Sequence, residues 1–111
     1  MLKEINLKEV SHVDSSVAIV KMEIERAYRE GVSVLKLVHG YGSHGQGGET
    51  LKAVRRELML LKKRGAIKNF FNGDKWNLFE SETIEILNRD KTIVGDRDLN
   101  HNNPGITIVV I

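Results

Sequence analysis

Apolar and polar positions change period several times along this 111-residue chain, and each change predicts an element. Residues 3–7 alternate, with Ile5 and Leu7 on one face, which is the period-two mark of a short strand. Val13, Val17, Val20, Ile24, Ala27 and Tyr28 then recur at helical spacing. Ser11-His12-Val13-Asp14 reads as a capping box opening that helix, and Gly31 as its stop. Residues 32–38 form a nearly continuous, β-branched apolar run that suits a strand buried on both faces, and the β-α-β unit so formed implies a right-handed crossover. A glycine-rich segment over 39–48 leads into a second helix over 49–64 that turns Leu51, Val54, Leu58 and Leu61 toward the core. Lys62, Lys63 and Arg64 fall in its last turn, where the helix dipole favours cations, and Gly65 stops it. Residues 67–71 and 106–111 read as two further strands.

Between those strands the pattern breaks. Residues 72–103 are polar and acidic, with one short helix predicted over 78–89, Asn77 and Glu80 as its capping box, and a loop over 96–103. Pro104 and Gly105 place a turn before the last strand. No internal repeat, low-complexity tract or linker divides the chain, so residues 1–111 are expected to fold as one domain large enough to bury a core. The predicted fold class is α/β (an α+β two-layer arrangement): a four-stranded mixed sheet with two main helices, in the order β-α-β-α-β-β, with an insert before the last strand.

Composition narrows the chemistry. Cysteine is absent, which excludes disulfides, zinc-thiolate sites, iron–sulfur clusters and cysteine nucleophiles, and fits a reducing compartment such as the cytoplasm. No apolar run approaches the ~20 residues of a membrane span, and the amino-terminal residues lack the apolar stretch of a secretion signal. Histidines stand at 12, 39, 44 and 101 with no acid beside His39, so no metal and no cofactor are expected. Charge is polarised. Residues 1–48 are balanced, residues 49–75 carry eight basic and three acidic residues (+5), and residues 76–111 carry three basic and six acidic (−3). A basic middle of this kind suits an anionic partner, or is a solvated helix face.

Gly40-x-Gly42-x-x-Gly45 matches the dinucleotide fingerprint letter for letter, but no acid ends the next strand about 20 residues on, and the chain is too short for a two-halved nucleotide-binding sheet. A P-loop is excluded, since no Lys-Ser/Thr follows a suitably spaced glycine pair. What remains is physical: glycines let a backbone approach a ligand, and amides ahead of a helix N-terminus form an anion site. Glu49 in the helix's first turn would itself answer the dipole. His39 and His44 are the loop's candidates for proton transfer near neutral pH.

The apolar strand ending in His39-Gly40-Tyr41-Gly42, the further Gly48, the helix opening with Leu51-Lys52 and Val54, and the terminal run from Gly105 together resemble the Smr (small MutS-related) domain family. The resemblance covers residues 3–71 and 104–111, and Lys52 stands where the family usually has Arg. It implies a fold like the C-terminal domain of bacterial translation initiation factor three, nucleic-acid binding and, in several members, DNA-nicking or RNA-cleaving endonuclease activity. Three features depart from the family: Ile5-Asn6-Leu7-Lys8 replaces Leu-Asp-Leu-His or Leu-Asp-Leu-Arg, the glycine loop is longer, and the insert is larger.

Three readings follow. As an endonuclease, the chain would use His39 as general acid or base and His44 in place of the missing acid. Amides of Gly40, Gly42 and Gly45 would face phosphate, and Lys8 would supply positive charge. As a DNA- or RNA-binding module without catalysis, it would use the same surface, with Lys52, Arg55 and Arg56 near the loop, Gly48 among the binding positions, and Tyr41 and Trp76 as stacking platforms. As a protein-interaction module, it would dock a partner through the acidic insert at 74–102. A nucleic-acid-binding domain is the expectation, with nuclease activity undecided.

Overall fold

The structure, a computed structural model, describes residues 1–40 and 46–111. Strands β1 (Leu2–Asn6), β2 (Val34–Val38), β3 (Asn69–Asn72) and β4 (Ile106–Val110) form one sheet in the order β1-β2-β4-β3. β1 and β2 are parallel, with Ile5 opposite Leu37, while β4 runs antiparallel to both of its neighbours, β2 and β3. Helices α1 (Val13–Glu30) and α2 (Gln46–Lys63) pack together on one face, and a shorter helix, α3 (Ser81–Arg89), belongs to the insert. This is the expected four-stranded mixed sheet with two main helices. Among the described residues no helix is long and apolar enough to cross a membrane.

Strand alternation explains the two cores. On the α1/α2 face, Ile5, Leu35, Leu37 and Val109 meet Val20, Ile24 and Ala27 of α1 and Val54, Leu58 and Leu61 of α2. The opposite residues of the same strands, Val34, Ile106 and Ile108, meet Phe71, Trp76, Ile86, Ile93 and Leu99. The insert over 72–103 is therefore the cover of the sheet's second face. Trp76, expected as a stacking platform for bases, is wholly buried there, tilted 38° against Phe71, with its indole N–H donated to Asp96 Oδ2 at 2.9 Å.

Several boundaries differ from the sequence reading for local reasons. His12, whose side chain makes no capping hydrogen bond, is the N-cap of α1, so the Ser11–Asp14 box does not form. α3 starts at Ser81 rather than 78, because Asn77 closes a turn instead, its Oδ1 accepting from the Phe79 N–H at 2.9 Å. α2 begins at Gln46, which places Gly48 inside the helix and not in the loop. Gly31 and Gly65 end α1 and α2 in the left-handed conformation, as expected. Gly73 is fixed by space: a Cβ there would lie 1.8 Å from the Asn103 carbonyl oxygen and 2.5 Å from Ile106 Cγ1.

One polar cluster ties the insert to the sheet. Lys36 projects from β2 into the insert face, with its side chain 1% exposed. Its Nζ donates to Asp96 Oδ1 at 2.8 Å and Asp98 Oδ2 at 2.6 Å, and lies 3.2 Å from Glu4 Oε1. Burial alone would lower the Lys36 pKa, but the carboxylates outweigh it and hold the ammonium above its ordinary value. Burial likewise pushes the Asp98 carboxyl up, and bonds from Lys36 and Asn103 reverse this to a net depression. The acids of the insert are thus largely paired internally: Glu85 with Arg89, Glu82 with Lys75, and Asp90 with the amino terminus. Removing residues 74–102 would uncover an apolar sheet face rather than delete a separable docking surface.

Lys36→Ala would leave Asp96 without a cation and Glu4 and Asp98 with only the exposed Arg97, and should destabilise the fold by about 3–5 kcal/mol in urea unfolding. The cluster's contribution should be lost as pH falls through the depressed Asp98 value, below 3.8, and as pH rises through the raised Lys36 value, above 10.5. Thermal melts should show a parent plateau between those limits, and the variant should lie below it and lack the loss at high pH.

Candidate functional site

The C-terminal end of β2 delivers His39 and Gly40 to one rim of the sheet, the side where ligands gather in sheets with parallel strands. Both of their amides donate to the Gly105 carbonyl at 3.0 Å, so the rim is stitched to the start of β4. Gly40 has φ +77°, which favours glycine, and its Cα packs against Gly105, where an added Cβ would lie 3.3 Å away. The Gly40 amide is therefore already used, and the residue contributes close approach rather than a free donor.

His39 is 4% exposed, on the α1/α2 side. Its Nδ1 lies 2.9 Å from the Gly40 carbonyl, which only accepts, so Nδ1 carries the proton. Nε2, 2.9 Å from Thr107 Oγ1, then accepts from that hydroxyl in the neutral ring. Burial is the largest influence on its pKa and lowers it. The Arg55 charge acts in the same direction, and the carbonyls of Gly40 and Ile106 oppose it without reversing the shift. His39 is thus a neutral imidazole with both nitrogens engaged.

Beside this rim lies a cleft of about 400 Å³ lined by Gly40, Leu51, Arg55, Asn72, Asp74 and Pro104. Arg55 reaches across from α2 to donate to Asn72 Oδ1, and its Nε is buried without a hydrogen-bond partner among the described residues. Lys8 borders Gly40, its Cδ 3.4 Å from where a Cβ would stand. Asn6 Oδ1 accepts from the Lys8 N–H at 2.9 Å and so shapes that turn. Lys52 is exposed on α2, and Arg56 points toward α1, lining a separate depression with Asp14 and Val17. Tyr41, Gly42, His44 and Gly45 lie outside the described residues. Gly48 is half-buried, with open space where a Cβ would project.

The structure therefore brings together Gly40, Lys8 and Arg55, and leaves Arg56 apart. Sequence reasoning missed Asn72, Asp74, Pro104 and Thr107. An Asn-Gly-Asp turn signal pointed to the first two, whereas a threonine inside an apolar strand carries no mark of its partner. Among the described residues no three His, Cys, Asp or Glu side chains are grouped to hold a metal ion.

The charge segregation seen in the sequence survives folding. Of the basic residues over 49–75, only Lys75 has a carboxylate within 4.0 Å among the described residues; Lys52, Arg55, Arg56, Lys62, Lys63, Arg64 and Lys68 have none. On α2, Lys52, Lys62 and Lys63 are exposed, while Arg55 reaches toward β3 and Arg56 toward α1.

The fold matches the Smr domain of Thermus thermophilus MutS2, with a TM-score of 0.60 and 21% sequence identity over 97% of this chain and 95% of that one. The chain thus has an Smr-like fold. No family model and no curated protein matches it.

In ¹⁵N-edited spectra, His39 should appear as the Nδ1–H tautomer at pH 7 and titrate below the ordinary 6.5. A Thr107→Val variant, which removes the hydroxyl donated to Nε2, should change the His39 titration.

Proposed function

We propose that this chain is a DNA- or RNA-binding domain that holds the phosphate backbone in the cleft beside Gly40, with Lys8 and Arg55 as its cationic contacts there and Lys52 and Arg56 as contacts outside the cleft. The observation that carries this reading is the run of basic side chains on α2 and after it that have no carboxylate partner among the described residues. Such cations repel one another, and an anionic polymer relieves the repulsion while releasing counterions. The half-buried Arg55, with an unpartnered Nε, suits a phosphate oxygen in particular. The likeness to an Smr domain fits this reading. Tyr41, Gly42, Gly45 and Gly48 are proposed as further nucleic-acid-binding positions.

His39 is proposed as a positioning residue. With 4% exposure and both nitrogens held, it organises Gly40 and β4 instead of exchanging protons with a ligand. His44 remains the candidate should the domain cleave what it binds.

Anisotropy with labelled 20-nucleotide RNA and DNA, read from 50 to 300 mM salt, tests the proposal. Affinity should fall steeply with salt, and Arg55→Ala should weaken binding by about tenfold, or ~1.4 kcal/mol. Binding that ignores salt, or no binding at all, would overturn it. If the parent cuts RNA, a pH–rate profile that follows the His39 titration and is lost in a folded His39→Asn variant would give His39 the proton-transfer role instead.

A further inference from the structure

The outer edge of β3, which ends the sheet, carries a feature that the cleft at Gly40 does not account for. Three depressions follow one another along it. The cleft beside Gly40 shares Arg55 and Asn72 with a second depression of about 250 Å³ that adds Phe70, Phe71 and Lys75. A third, of about 280 Å³, opens at the other end of the strand between α2 and α3 and is lined by Lys62, Lys68, Asn69 and Arg89, with Glu82 and Glu85.

Two rungs align α2 over this edge: Arg55 donates to Asn72, and Lys62 Nζ donates to Asn69 Oδ1 at 3.0 Å. Seven helical residues rise about 10 Å, and three strand residues advance about 10 Å, so helix and strand run in step and hold the cations at a set interval. That interval spans about three stacked nucleotides at ~3.4 Å each.

We infer that the β3 edge is a track for single-stranded nucleic acid, leading from the cleft at Gly40 to the Lys62/Lys68 depression. The inference rests on the nucleic-acid reading above and names its substrate class. Three observations favour one strand over a duplex. The second and third depressions are below the ~300 Å³ of a drug-sized ligand site, so each suits a single nucleotide and not a base pair. Two cations from separate elements line the third, Lys62 from α2 and Lys68 from the segment just before β3. The half-buried Phe70 in the second offers a ring for a base to stack on. The two acids of the wall are matched, Glu85 by Arg89 at 2.8 Å and Glu82 by Lys75 at 3.7 Å, which leaves Lys62 and Lys68 as the charges without a carboxylate partner among the described residues.

The test compares the full chain with a Lys62→Ala/Lys68→Ala double variant on a labelled ten-nucleotide single strand and on a duplex of the same length. Both lysines are exposed, so the variant should melt like the parent. Its affinity for the single strand should fall about tenfold and its salt slope by about 1.4, at ~0.7 per lost contact, while duplex affinity changes less than twofold. Lys62→Arg/Lys68→Arg should restore single-strand binding. A parent that binds neither probe refutes the underlying nucleic-acid reading. A parent that binds, with a double variant that holds the single strand as tightly or loses both probes equally, refutes the track alone. A glutamate-rich peptide that outcompetes the single strand for this edge would also overturn it, and would reassign the edge to strand addition.

Discussion

The buried ammonium of Lys36 is the constraint from which the arrangement of this fold follows. A single cation on the central strand β2 draws in Asp96 and Asp98 from the insert and Glu4 from β1, three segments far apart in the chain. An apolar cover could slide on an apolar sheet at little cost, whereas a buried ammonium accepts few arrangements of its partners. The Asp96 carboxylate reinforces this by also holding the Trp76 indole, so the largest side chain of the second core is positioned by the same cluster. Polar specificity and apolar packing therefore meet at one residue.

That cover in turn sets the rim where the site lies. Gly73 fits against Asn103 and Ile106 only because it has no side chain, and this contact brings the Asn72–Asp74 turn beside the segment that leads into β4. Gly105, in that segment, receives the amides of His39 and Gly40. The cleft thus takes its walls from α2, from the end of β2, from the start of the insert and from its close. A change at any of these joints alters the cleft without touching a lining side chain.

Much of this was legible in the chain. The nearly continuous apolar run of β2 announced a strand covered on both faces, residues 106–111 were rightly read as a strand, and His39-Gly40 was rightly placed at a strand end. The same reading stopped short of its own implication: strands buried on both faces require two covers, and residues 72–103 were the remaining segment able to supply the second. Their acidic character suggested a partner, because composition does not show that Asp96 and Asp98 answer a lysine sixty residues away. Lys36 itself looked like an interruption in an apolar strand. The start of α3 was misplaced where Asn77 had a competing local role, and the residues of the cleft outside α2 were hidden because tertiary closure, not spacing, brings them together.

β4 reads Ile106, Thr107, Ile108, Val109, Val110, with no position set aside for water. A protein of this architecture without the insert would expose Val34, Ile106 and Ile108 together, a patch suited to self-association. Such a chain would have to place polar side chains at those alternate positions or bury them in a dimer. The hydropathy of one five-residue strand is therefore a diagnostic: among chains of this shape, alternation in the last strand marks an open sheet, and an unbroken apolar run marks one that carries its own lid.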